Sequence, residues 1–500
     1  MKDSSKKTTL KILASALIVS ALSSASAEPQ LSGYLENDLE LKRLSLELKK
    51  AMLSSKSTSI DNGFDIQLST GTAKFTFSED ESYVKFEPNA KVTVPQASNL
   101  TFSTSTKLTS SNKEEEGTTV GDTKFTLSAD IISGSLLTRK IALKKAERQV
   151  LEATRKLQDY ALTAENSYYK QLKELFQASS SIISAQKTMY DDTIDFEEIK
   201  AKGYSTASSK YRQSELKVLS DKHSVETKIH DLEHDCAVFA SKCNTEYKTG
   251  SQPRNFLPKT IPVVEALDIL SFDKEKYTKI ENAKWNQEIA TLTRKADKNF
   301  TLSASSGYTI KNSDTKSASE KSQTNDASDT VDVGVEASFS GLSLGAGASI
   351  PTDGTAPIYS VTASLKPNSF RKMSIKKKQN ALNEEEENIA IQSAMNSYDD
   401  DVIDRQTELN DIRWSKKTNT ETYDMYVKLE ADMARYLKSG VITESEYLNA
   451  FANKELYRIK LLIDDINLLI YNNELKLLFC RDDAQTEIPE EAAVLENTKE

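Results

Sequence analysis

The sequence predicts an α+β chain in which long antiparallel helical hairpins follow runs of β-structure, and it predicts that arrangement twice. Three observations lead there. Short motifs recur in one order at offsets of 230 to 237 residues, segments of period two are bounded by turn residues, and apolar residues return at every seventh position over long stretches.

The duplication sets the order of elements. FDIQLSTG at Phe64 to Gly71 returns as FTLSASSG at Phe300 to Gly307, and Arg139-Lys140 returns as Arg371-Lys372. Ala164-Glu-Asn-Ser-Tyr168 returns as Ala394-Met-Asn-Ser-Tyr398, and Gly203-Tyr-Ser-Thr206 as Gly440-Val-Ile-Thr443. Between the last two pairs the offset grows by seven residues. One heptad is an insertion that preserves the buried face of a coiled coil.

Residues 1–27 read as a secretory signal peptide: Lys2, Lys6, Lys7 and Lys11 precede an apolar run from Ile12 to Leu22 and then Ala25-Ser26-Ala27. Residues 28–60 read as an N-terminal short helix, 61–136 as the strands of the first repeat, and 137–245 as its long helical hairpin with a tip near 203. A connecting segment with a short helix follows over 246–298, then the second strands over 299–368 and the second hairpin over 369–480, its tip near 440. The acidic tail, 481–500, has few large apolar residues and is expected to be disordered.

The strand expectation rests on KFTFS, YVKFE, KVTV, LTFSTSTKL and TKFTLSADII, and in the second repeat on VDVGVEASFSGLSLGAGASI and YSVTASL. The first hairpin has the clearest heptads. Positions 161, 168, 175, 182, 189, 196 and 203 are Ala, Tyr, Leu, Ile, Met, Phe and Gly, with alanines at 164, 178 and 185. Its returning arm carries Val218, Val225, Leu232 and Phe239, with Ile229, Cys236 and Cys243 offset. The two cysteines therefore read as small core residues, not as a redox pair. They lie about 10 Å apart along a helix, too far to bridge unless the helix ends between them.

Composition narrows the function. With 38% apolar and 28% charged residues the chain belongs among folded proteins. An excess of 75 acidic over 65 basic residues speaks against nucleic acid as a partner. After the signal no run of about 18 apolar residues occurs, so any span of a membrane would be β-structure. No phosphate loop, nucleophile elbow or zincin motif is present, so neither an enzyme nor a cofactor is expected. His223, Glu226, His230 and His234 form a helical stripe, but the i, i+4 histidine pair has no third ligand in a zinc motif. The bland reading, an exposed polar helix face with no metal, is preferred.

The tips are the candidate functional sites. Gly440 can supply the left-handed C′ conformation that ends a helix, and Thr443-x-x-Glu446 is a capping box that starts the next. With a signal peptide, tandem repeats of strands and long hairpins, and Gly-x-x-Thr tips, the chain resembles the TolC family of outer-membrane efflux channels. Lys438-Ser-Gly440-Val-Ile-Thr443-Glu-Ser-Glu446-Tyr-Leu448 matches the family's tip, and IPVVEALDIL, 261–270, resembles the opening of its second repeat. Three features depart from the family. A proline before Phe64 and Phe300 is missing, Ser209 stands where the second tip has Glu446, and each β region exceeds the two strands that a twelve-strand trimeric barrel needs.

The resemblance implies a transmembrane β-barrel in the outer membrane, continued by a periplasmic α-barrel and closed by trimerisation. It implies passive conduction, in drug efflux or type I secretion, of substrates delivered by an inner-membrane pump and a periplasmic adaptor. Gly203, Thr206, Gly440 and Thr443 would be the adaptor-binding tips, and Glu446 and Glu444 the channel constriction. The rival reading is a structural protein, a periplasmic coiled-coil spacer or a trimeric surface stalk; a soluble exported enzyme has no motif behind it.

Overall fold

A computed structural model describes residues 29–71, 73–77, 82–111, 118–248, 255–297, 300–311 and 328–481. The expected signal peptide and all but the first residue of the acidic tail lie outside the described residues. Two compact units partition the chain: Met1–Leu48, Glu152–Glu281 and Ala394–Glu500 in one, Lys49–Leu151 and Asn282–Ser393 in the other.

The first unit is helical. α1 (Pro29–Asn37) and α2 (Leu39–Asp61) occupy the region expected to be one short helix. The break falls at Asp38, whose Oδ1 accepts from the Glu40 and Leu41 amides at 2.7 and 3.1 Å, a side-chain cap that restarts the helix. α3 (Ser135–Ala201) and α4 (Ser209–Lys242) form the first hairpin, α6 (Pro367–Lys438) and α7 (Glu444–Leu477) the second; each outgoing helix begins in the other unit.

Heptads in α3 and α4 become packing. Tyr168, Leu175, Ile182 and Phe196 of α3 are buried with Val225, Leu232, Cys236 and Phe239 of α4, while Ala161 and Met189 are only half-buried. Tyr168 sits at the centre, its ring 5.7 Å from Tyr34 and 5.2 Å from both Tyr169 and Phe239. Ile459, Leu462, Ile466 and Leu469 of α7 join the same core. The other arm, α6, behaves differently. Ala394, Tyr398 and Leu409 are its buried residues, whereas Ile375, Leu382, Ile389, Ile403, Trp414 and Met425 are each more than half exposed.

The connecting segment ties the end of α7. Asn472 donates to the Glu265 carbonyl at 2.8 Å and accepts from the Leu267 amide at 3.0 Å. Buried Tyr277 donates to Asp401 Oδ2 at 2.5 Å, and Thr278 and Cys480 close the backbone with Leu478 and Lys276 at 2.9 and 2.7 Å.

The second unit is organised by a ten-stranded sheet. Its strands are β1 (Asp65–Ser69), β2 (Lys74–Phe77), β3 (Ser82–Phe86), β4 (Asn89–Val94), β5 (Leu100–Ser111) and β6 (Thr118–Ile132) from the first repeat. β7 (Phe300–Ile310), β8 (Thr330–Phe339), β9 (Leu342–Pro351) and β10 (Ile358–Leu365) come from the second. The path runs β1-β4-β5-β6-β7-β8-β9-β10, with the β2–β3 hairpin branching from β5. Every pairing is antiparallel, and β6 against β7 joins the two repeats. Among the described residues the sheet is open, with β1 and β10 ending its path and β2 ending the branch. α5 (Thr278–Ala296) runs along this unit from its fifth residue onward, where Arg294 grips Glu387 with two bonds of 2.6 and 2.8 Å.

Candidate functional site: the hairpin tips and the two faces of the sheet

Both candidate glycines have a left-handed backbone, φ +72° at Gly203 and at Gly440, and a Cβ built on either meets nothing within 4 Å. At the second tip, the Gly440 amide donates to the Leu437 carbonyl (3.1 Å) and the Val441 amide to Tyr436 (3.0 Å), a complete Schellman motif. Thr443 then caps α7. Its Oγ1 accepts from the Glu446 amide at 3.3 Å, while Glu446 Oε2 accepts from the Thr443 amide and hydroxyl at 2.8 and 2.9 Å. These two bonds, the backbone one first, hold the Glu446 carboxyl below its usual pKa. Glu444, in the first turn, is exposed.

The first tip is built differently. Thr206 is not its cap: the N-cap of α4 is Ser208, two residues later, whose Oγ accepts from the Tyr211 amide at 3.3 Å. Thr206 instead offers its carbonyl to Arg212 Nε at 3.3 Å. The loop thus runs over 202–208, against 439–443 at the second tip. Tyr190 of α3 has a raised pKa, from desolvation first and then from the Glu444 and Asp191 carboxylates. Between the arms of the first hairpin, Lys217 Nζ donates to buried Asp192 at 2.6 Å. A hydrogen bond shared with Asp192 raises the Asp221 carboxyl.

Cys236, Cys243 and Cys480 are free and buried. Desolvation pushes the Cys236 thiol up to about 12 and Cys243 to about 11, which keeps both protonated and unreactive at neutral pH. α4 ends at Lys242 with Cys243 as its C-cap residue, so a helix end does fall between the pair, and still no disulfide forms. His223, Glu226, His230 and His234 are all exposed, and no cluster of three or more metal-ligating side chains occurs among the described residues.

The sequence reading found the strands and missed what their faces do. In an antiparallel ladder directly paired residues share a face. One face collects Leu68, Val92, Phe102, Leu127, Val333 and Val361 with their apolar neighbours. Much of it is bare: Leu68 is 76% and Val361 81% exposed. The opposite face collects Thr93, Thr101, Ser128, Ser305, Ser349 and Thr362. On this side lies a cavity of about 550 Å³, lined chiefly by Ser, Thr and Gly with Asn99, Asp130 and Glu336. A phase check on the alternation, hydroxyls on one register and aliphatics on the other, was the available signal. Among the described residues no helix is long and apolar enough to cross a membrane.

Among solved structures the chain is similar to the outer membrane protein VceC from Vibrio cholerae, at 13% identity and TM-score 0.41 over 90% of this chain and 94% of that one. CusC is similar at 12% identity and TM-score 0.41 over 90% of each chain. The MtrE outer membrane channel of Neisseria gonorrhoeae, in its open state, gives 11% identity and TM-score 0.43 over 88% of each. No curated protein sequence matches the chain. Residues 31–261 match the TP096X N-terminal domain and residues 262–482 the TP096X C-terminal domain, the two meeting at the head of the IPVVEALDIL segment. With those two domains running unbroken from residue 31 to 482, the chain belongs to the TP096X family.

Proposed function

We propose that this protein is an outer-membrane channel, a passive duct through which substrates handed over in the periplasm leave the cell. The two-faced sheet carries the reading. A hydroxyl-lined concave side backed by an exposed apolar side is the pattern of a barrel with lipid outside and water inside. β5 to β9 have 10 to 15 residues each, enough to cross the hydrocarbon layer as tilted strands.

Lipid satisfies no backbone group, so the free edges at β1 and β10 must pair. The path holds eight strands, all antiparallel, so β10 of one copy runs opposite to β1 of the next and can continue the ladder. The exposed seven-residue stripe on α6, Ile375, Leu382 and Ile389, supports the same conclusion for the helices: copies cover it. A homotrimer is the assembly the tip motifs and repeat order suggest, with the tips offered to an adaptor and pump. Glu444, outside the capping box, is then the better candidate for the constriction, and Glu446 serves mainly to start α7. A spacer or stalk has no use for a hydroxyl-lined concavity.

The test is reconstitution of the purified full chain in planar bilayers. A large, long-lived open pore is expected. A detergent-independent soluble rod without conductance would overturn the proposal.

A further inference from the structure

The Arg-Lys pair recurs in both repeats at one structural position. Arg139 is the fifth residue of α3, counted from Ser135, and Arg371 the fifth of α6, counted from Pro367. Each helix follows directly on the last strand of its repeat, β6 ending at Ile132 and β10 at Leu365. Both helix starts belong to the unit that holds the sheet.

The pairs sit inside longer basic runs. Six basic residues and no acid occur from Lys366 to Lys378, and four and no acid from Arg139 to Lys145. Two of these ten are neutralised by α5, Lys144 by Glu288 and Lys376 by Asp297. The others form no ion pair among the described residues. Arg139 Nε is shielded from solvent and finds no hydrogen-bond partner among the described residues. Neither helix has an acid in its first turn, where the macrodipole would favour one. At this end of the sheet, Asp65, Asp130 and Glu336 lie on the hydroxyl-bearing face. Asp61 closes α2, and Glu147 and Glu384 come only after the runs have ended.

Beside the runs, the apolar face of the sheet ends in a row of large side chains. Phe300 pairs with Phe339, Phe339 with Leu342, and Leu342 with Leu365. Phe300 is 39%, Phe339 42% and Leu365 62% exposed. α6 starts on this row: the Lys366 amide donates to the Gly341 carbonyl at 2.7 Å, and the Phe370 ring stands 6.4 Å from Phe339. Arg371 and Lys372 follow at once. An apolar band closed by aromatic rings and then by unpaired cations is the order met along a bilayer normal: acyl chains, interface, headgroup phosphates. A soluble polyanion would account for the cations and leave the apolar row without a purpose.

We propose that the basic runs opening α3 and α6 bind the headgroups of anionic phospholipids in the leaflet on the helical side of the barrel, fixing how deep the sheet sits. The inference rests on the channel reading. Arginine at the repeated position suits a phosphate, which its planar fork grips with two bonds, and the lysines around it add point charge.

Spin-labelled phosphatidylglycerol and phosphatidylcholine, compared in phosphatidylcholine vesicles that carry the purified full chain, test it through the fraction of label the protein immobilises. The wild type should hold phosphatidylglycerol about twofold or more over phosphatidylcholine near 0.1 M salt, and the ratio should fall toward one near 1 M. Arg139→Gln, Lys140→Gln, Arg371→Gln and Lys372→Gln together should remove about half or more of the low-salt excess. Lys210→Gln, Lys222→Gln, Lys417→Gln and Lys428→Gln, which take the same charge from exposed helix positions elsewhere, should leave the ratio unchanged. If the first quadruple variant fails to fold, the exposed pair Arg371→Gln with Lys372→Gln decides by the same readout. A wild type without preference, a preference that survives the first set, or one lost equally in the second set overturns the inference; planar-bilayer pores then leave the channel standing. A wild type with neither immobilised lipid nor pores overturns the channel reading and the inference with it.

Discussion

At Glu446 the carboxylate is already occupied by the start of its own helix, and that fixes how the residue should answer to pH. A carboxyl whose folded-state pKa lies below its unfolded value stabilises the fold above the unfolded pKa and loses that contribution as pH falls through the folded one. The first turn of α7 should therefore keep its hydrogen-exchange protection from pH 7 down to about 5 and lose it below about 4.3. Glu446→Gln should flatten that dependence; parallel loss in both proteins would mean that another group caps the turn. Thr443 and Glu446 were legible in the sequence because a capping box is local chemistry. Thr206 was not, since Ser208 has the same capping ability and only the path of the chain decides between them. Asp38 could have been read, being an Asx cap before Leu39-Glu40, but its neighbours are strong helix formers and hid the break.

At the scale of elements, the hairpins contrast two ways of burying a heptad. α3 and α4 bury theirs against each other and against α7, so their seam was readable from spacing alone. α6 exposes its aliphatic stripe, and nothing within one chain reveals the face that would cover it. Strand count was likewise out of reach: the β2–β3 branch and the path through β4 depend on pairing partners far apart in sequence. The turn at Gly440 separates cleanly from packing, because a Cβ there meets only open space. Gly440→Ala should thus cost about 1 kcal/mol from the left-handed backbone alone. Gly440→Asn should cost less, since asparagine tolerates that region. Local exchange at residues 436–447 would measure both, and equal loss in the two variants would show that the turn is held by something other than its φ.

For the whole molecule, the open ends of the sheet decide the assembly. Ser69→Cys on β1 with Ser360→Cys on β10, treated with a short bifunctional thiol reagent in membranes, should give a ladder ending at trimer. The three native thiols are buried and should stay silent. Cross-linking confined to single chains would mean that each sheet closes on itself. The same two edges bear on how the protein is made. A strand with unpaired amides and carbonyls invites the wrong partner as readily as the right one. A lone copy, with β10 exposed along its whole length, is therefore an aggregation hazard. Pairing of those edges then becomes a race between correct and incorrect partners whose outcome depends on chain concentration.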